Sequence, residues 1–331
     1  MTDKLLECKK RYEKALLKMP NVVGIGIGRK VVKGRETKET CIVVFVTKKI
    51  PEVHMRKEDV IPLELEGVKT DVIETGVIKS LAARRKAVNR RGQIRPAPGG
   101  VSIGHTAITA GTLGMLVRKK DSVFILSNNH VLANSNNAQL GDDILQPGPA
   151  DGGTAKDKIA ALHEFVPISF TGAECPVAAT VYRFIDALHK PFGKQYHGFH
   201  VSNMINRVDA ALAKPLHDDD VTEEILEIGV PRGMAEALLD TPVKKSGRTT
   251  GLTKDKIRQI NATVRVQYGL GREALFENQL IAGPMSEGGD SGSAVLDGKN
   301  RVVGILFAGS DQVTIINRIQ DIVDELKISI L

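Results

Sequence analysis

The sequence predicts a mainly β protein, a pair of barrels or a sandwich, preceded by a small α+β unit. Three observations carry this. Aromatic residues are sparse at 4%, tryptophan is absent, and 32 of 331 residues are Gly, set among many Val/Ile-rich runs. From Val101 onward short apolar segments recur, expected as strands near 111–119, 123–126, 141–145, 159–166, 207–213, 242–247, 256–268, 278–282, 293–297 and 301–308. Before that point a helical pattern leads into alternating segments. With 42% hydrophobic residues, the chain is long enough for two units with a substantial core.

In order, Lys4 to Met19 places Leu5, Cys8, Tyr12, Leu16 and Met19 near helical spacing, and Pro20 stops the helix. Residues 21–32 alternate around Val23, Ile25 and Ile27 as a strand does. Gly24, Gly26 and Gly28 lack the spacing of a dinucleotide loop and lead into no helix. Lys33 to Glu36 reads as a hairpin turn, Cys41 to Thr47 as a buried strand, and Val68 to Ile78 as further β structure with a turn at Gly76. Residues 1–80 are thus a small α+β domain, expected to regulate the rest or to drive homo-oligomer assembly. Residues 81–100 are a basic linker ending in Pro and Gly. Residues 101–331 form the main domain, with an insertion at about 147–201 containing a helix-like stretch from Val181 to His189. Ile319, Ile322, Val323 and Leu326 mark a closing helix.

Net charge is +7, and Arg84, Arg85, Lys86, Arg90, Arg91 and Arg95 cluster. No aromatic residue interleaves them as a stacking platform, so a solvated linker is expected rather than a nucleic-acid site. The N-terminus has no apolar core of a signal peptide, and no run is long enough to insert into a membrane. Cys8, Cys41 and Cys175 are scattered and odd in number, which fits neither a disulfide framework nor a zinc site. A reducing, cytoplasmic location is expected.

Chemistry concentrates at three places. Gly288 to Ser293 reads Gly-Gly-Asp-Ser-Gly-Ser, a bend able to expose the Ser291 hydroxyl with backbone N–H groups aimed at the same point. His130 follows an apolar strand in Ser127-Asn128-Asn129-His130-Val131-Leu132. Asp209 enters the apolar run Val208 to Ala213, a costly place for an acid without a partner. A serine nucleophile needs a base, and the base needs an acid to fix its tautomer. The chain order His130, Asp209, Ser291 is one of the known orders for such a set.

On these segments residues 101–331 resemble the trypsin/chymotrypsin-like serine peptidases. Ser246 to Thr253 resembles a segment typical of the bacterial members, and Val303 to Gly309 the strand that lines the substrate cleft. The resemblance implies a chymotrypsin-like double β-barrel with a C-terminal helix. It implies an endopeptidase that needs no cofactor or metal and acts on a protein or peptide. Ser291 would be the nucleophile, His130 the base, and Asp209 its orienter. The N–H groups of Gly289 and Ser291 would form the oxyanion hole, with Asp290 holding the loop. The 1–80 unit is similar to that of uncharacterised bacterial peptidases and of the plant narrow-leaf type. A catalytically silent peptide-binding or scaffolding module on the same fold is the alternative.

Departures from the pattern matter. Val131 replaces the cysteine common after the histidine. Phe307 stands where a serine commonly supports the triad acid, which leaves that support open. No Ile-Val-Gly-Gly-type start exists to be inserted beside Asp290. The substrate pocket falls near Met285, Phe307, Gly309 and Thr314, none acidic, so small or medium apolar side chains are the expected preference. His189, His197, His200 and Cys175 match no strong metal pattern, and Asp218 to Asp220 lack calcium-loop spacing.

Overall fold

A computed structural model describes residues 2–80, 89–170, 205–269 and 271–331. The His189, His197, His200 and Cys175 cluster and the 181–189 helix lie outside the described residues. The helix Thr2–Leu16 buries Leu5, Cys8 and Leu16 against Val22, Ile25, Ile27, Ile42, Val44 and Val46. Each such side chain contributes on the order of 2 kcal/mol. Strands Val22–Val32 and Arg35–Val46 form a hairpin across Lys33 and Gly34, both at positive φ (50° and 75°), the turn geometry that matches strand twist. Strand Val68–Glu74 lies parallel to Arg35–Val46.

The hairpin does not close on itself. Val22–Val32 pairs antiparallel with Gly251–Gln267, bringing Gly24 opposite Val264 and Gly28 opposite Gln259. A Cβ on Gly24 would meet Thr263 O at 2.8 Å. The glycine run rejected as a dinucleotide loop is therefore a strand surface made thin enough for a neighbouring strand. The helix is tied to the same strand, since the buried Lys9 Nζ donates to Thr263 Oγ1 at 3.0 Å. The result is an 11-stranded sheet that also holds Pro242–Gly247, Glu273–Ala282, Ala294–Asp297, Val302–Gly309 and Thr314–Arg318.

An 8-stranded sheet holds the other half, including Ser102–His105, Gly111–Thr112, Met115–Lys119, Ser122–Ser127, Lys158–Phe165 and Ala211–Pro215. Lys158–Phe165 falls inside the stretch expected to be an insertion, yet it is an interior strand paired on both sides. One core packs Phe124, Leu126, Leu212, Leu296 and Ile305 with Ile319, Ile322 and Leu326 of the closing helix Ile319–Leu326. This is the mainly β arrangement expected from the sequence, with an N-terminal helix and strands in front of it. The solvated character expected of the basic run does not extend to two of its arginines. Arg90 is buried, bonding to Ser246 Oγ at 2.7 Å and to Glu227, and Arg95 bonds to Gln146. Among the described residues no helix is long and apolar enough to cross a membrane.

Candidate active site

His130 is placed by the end of strand Ser122–Ser127, which passes into a single helical turn, Asn129–Leu132. Asp209 lies just before strand Ala211–Pro215, the partner of Ser122–Ser127. Adjacent strands thus carry the imidazole and the carboxylate to each other. Asn128 Nδ2 donates to Asp209 O at 2.7 Å, and Asp209 N donates to Asn317 Oδ1 at 2.9 Å, which fixes the Asp209 backbone from both sides.

His130 Nδ1 is 2.6 Å from Asp209 Oδ2, a charge-assisted distance, and His130 N donates to Oδ1 at 3.2 Å. A carboxylate only accepts, so Nδ1 carries the proton. In the neutral ring Nε2 is then the free base. Nε2 is buried and makes no hydrogen bond among the described residues.

Asp209 is fully buried, and its third donor is one the sequence did not reveal: Tyr268 Oη, 2.8 Å from Oδ2. This hydroxyl supplies the support that Phe307 cannot. Its pKa is pushed well above the ordinary tyrosine value, first by burial and then by the Asp209 charge, so it remains a donor. Tyr268 meets the His130 ring edge-on at 5.9 Å and packs on Phe170 and Phe276.

The serine loop comes from the other sheet. Asp290, fully buried, is its anchor. Oδ1 accepts from Thr249 N (2.8 Å) and Thr250 N (3.1 Å), and Oδ2 from Thr250 Oγ1 (2.6 Å) and Glu287 N (3.0 Å). The carboxylate is neutralised by Lys245 Nζ at 3.0 Å, from a lysine itself fully buried and bonded to Thr250 Oγ1 and Gly251 O. Burial lowers the Lys245 pKa, and Asp290 partly offsets this. A lysine within the fold thus provides the cation beside Asp290. Arg248, in the same segment, pairs instead with Asp151.

Strand Gly111–Thr112 joins the two halves. Thr112 N donates to Ser291 O (2.8 Å) and Thr112 Oγ1 to Gly289 O (2.8 Å), while Ser127 Oγ donates to Thr112 O (2.8 Å). A Cβ on Gly111 would lie 2.4 Å from Val131 and 3.0 Å from Ser291 O, so the residue after His130 and the Ser291 peptide meet across this glycine. Within the loop the N–H groups of Asp290, Gly292 and Ser293 are used. Those of Gly289 and Ser291 donate to nothing among the described residues, the state an oxyanion site needs.

Ser291 itself departs from expectation. It is 1% exposed rather than displayed at the turn, and its Oγ donates to Phe307 O at 3.3 Å. It makes no hydrogen bond to His130 among the described residues. The bond it does make is long for a hydroxyl and weak.

The expected pocket residues are brought together but not opened to solvent. Met285 N donates to Thr314 Oγ1 at 3.2 Å, and Gly309 pairs with Thr314. Phe307 faces Ser291 through its carbonyl, while its ring packs on Phe276 at 4.8 Å, in the core instead of a cleft. Asp218–Asp220 is a 3-10 turn, and no group of three His, Cys, Asp or Glu among the described residues is placed to hold a metal.

The fold and the site together define a two-sheet, mainly β frame with an Asp–His pair and a serine loop at the junction of the sheets. A family model described as the NARROW LEAF 1 N-terminal domain matches residues 3–78. No curated protein matches the chain. Similar solved structures include Thermobifida fusca protease A, with a TM-score of 0.46 and 16% identity over 71% of this chain and 97% of that one. Nocardiopsis protease gives 0.46 and 15% over 70% and 97%. A glutamic acid specific serine protease gives 0.44 and 17% over 71% and 100%.

Proposed function

We propose that the chain is a serine endopeptidase of the trypsin/chymotrypsin type, with Ser291, His130 and Asp209 as its triad. The observation that carries this is the 2.6 Å His130–Asp209 bond, which leaves Nε2 as an unengaged buried base. In this mechanism Ser291 Oγ adds to a peptide carbonyl carbon as Nε2 takes its proton. The carbonyl oxygen becomes an oxyanion facing the N–H groups of Gly289 and Ser291. Asp209 stays ionised, held by Tyr268, and stabilises the imidazolium. Nε2 then gives the proton to the leaving amine, and water releases the acyl group by the same steps reversed. The described cysteines, Cys8 and Cys41, are free thiols, in keeping with the cytoplasmic location we infer.

One observation favours a second reading, a peptide-binding module without turnover: Ser291 Oγ is bonded to Phe307 O and not to His130. A small fluorophosphonate separates the two. The peptidase reading expects a single adduct on Ser291, abolished by Ser291→Ala and strongly slowed by His130→Ala, with hydrolysis of peptide substrates. A folded protein that never forms the adduct, yet binds peptides, supports the module.

A further inference from the structure

Strand Val302–Gly309 has two edges. Thr314–Arg318 runs along one, from Gly304 opposite Arg318 to Gly309 opposite Thr314. The other edge has a succession of partners. Ala294–Asp297 pairs as far as Ile305. Leu306 then exchanges bonds with the serine loop, its N–H donating to Ser293 O (3.0 Å) and its carbonyl accepting from Gly292 N (2.8 Å). Phe307 O accepts from Ser291 Oγ. The next two residues, Ala308 and Gly309, pair antiparallel with Ser80 and Lys79.

The chain's own segment therefore begins on this edge where the nucleophile leaves it. Its direction is fixed: Lys79 is opposite Gly309 and Ser80 opposite Ala308, so the segment advances toward Phe307 and Ser291. It is held from behind as well. Gln267 N donates to Ile78 O at 3.1 Å, and Gln267 pairs with Lys79 in parallel, one residue before Tyr268. Ile78 is fully buried in the cluster of Phe276, Phe307, Ala308 and Val313.

A free strand edge offers N–H and C=O groups to any extended polypeptide, with register set by the main chain and selectivity by side-chain pockets. We propose that Ile78–Ser80 occupies the strand edge at Ala308 and Gly309 in cis, as an intramolecular competitor of an extended peptide approaching Ser291. This rests on the peptidase reading above. Pairing on the Val302–Gly309 strand is only two residues long, and Ile78 is its apolar anchor, so the segment is held by few interactions and is displaceable. A peptide must displace the segment before its carbonyl reaches Ser291. A small acylating reagent has no such need.

The test uses the full chain and two covalent probes, a small alkyl fluorophosphonate and a tripeptidyl diphenyl phosphonate with an apolar terminal side chain. Ile78→Ala removes the anchor, and Lys79→Pro independently removes a main-chain N–H. Both variants are checked for folding by far-UV circular dichroism. Inactivation by the tripeptidyl probe is expected to speed up about tenfold in each, as for an edge filled ~90% of the time in the parent. The small probe should change by less than about threefold, since its approach does not require the vacated edge. Equal tripeptidyl rates in parent and variants, with Ser291 still labelled by the small probe, would overturn the self-docking and leave the peptidase reading standing. Failure of both probes to label any of these folded proteins would overturn the peptidase reading, and the self-docking with it.

Discussion

Replacing Lys245 by Met leaves Asp290 as a fully buried carboxylate without its cation. In the parent the pair is 3.0 Å apart with both side chains fully buried. Removing one member of such a pair costs about 3–5 kcal/mol, because the remaining charge is left uncompensated. Four other donors still point at Asp290 (Thr249 N, Thr250 N, Thr250 Oγ1 and Glu287 N), which places the expected loss near the lower end, about 3 kcal/mol. Adding Asp290→Asn removes the orphan charge, so the double variant should be more stable than the sum of the single losses by at least about 1 kcal/mol. Urea unfolding followed by circular dichroism measures this, since the chain has no tryptophan to report on unfolding. The sign of the pH dependence is also set. Burial lowers the Lys245 pKa from 10.5, so the unfolded chain binds that proton more tightly than the folded one. This group's contribution is least favourable below its depressed value and improves as pH rises toward 10.5, a slope K245M should lack. A K245M loss below about 1 kcal/mol, or strictly additive losses, would refute the reasoning that the pair clamps the serine loop.

Three further outcomes are expected. Tyr268→Phe removes one donor from the buried Asp209 carboxylate and should lower kcat/KM about tenfold, given ~1.5–3 kcal/mol for a hydrogen bond to a charged group. An unchanged kcat/KM would reduce Tyr268 to a packing residue. Gly292→Ala forces a Cβ to 2.1 Å from Ser127 Oγ and 2.3 Å from Thr112 O at φ +96°, and denaturation should show a loss of about 2–4 kcal/mol. The Cys41 thiol, pushed up to about 12 by burial, should stay unmodified by a thiol reagent at pH 8 until the chain unfolds, as mass spectrometry of the labelled peptides would show.

The candidate triad was legible because each member sits in a short local pattern: a histidine at the end of an apolar strand, an acid entering another, a serine between glycines. Their supporters were not. Tyr268 is 59 residues from Asp209 and belongs to no motif; only the sheet brings its hydroxyl to the carboxylate. Lys245 lies in strand Pro242–Gly247, where a lysine ordinarily reads as solvent-facing, and it is buried only because Asp290, 45 residues on, meets it. Phe307 was legible as a departure, but not as the residue whose carbonyl would accept the hydrogen bond of the Ser291 hydroxyl. The mainly β class followed from strand spacing. What spacing could not give was which strand edges join, since that is decided by tertiary pairing.

Edge joining is also what ties the N-terminal segment to the site. Val22–Val32 lies between Arg35–Val46 and Gly251–Gln267, so it is an interior strand of the sheet that carries the serine loop. Gly251–Gln267 ends one residue before Tyr268, and Lys9 grips its Thr263. Cutting the chain near Gln93 to test for restraint would therefore do more than free the β half. It would strip an antiparallel partner from Gln259 to Val264 and expose a long strand edge, which is an invitation to self-association. A gain of peptide turnover in such a fragment could come from release of Ile78–Ser80, and a loss from collapse of the Tyr268 strand. Point changes at Ile78 and Lys79 within the intact sheet separate the two, because they empty the edge at Ala308 and Gly309 while leaving Val22–Val32 paired.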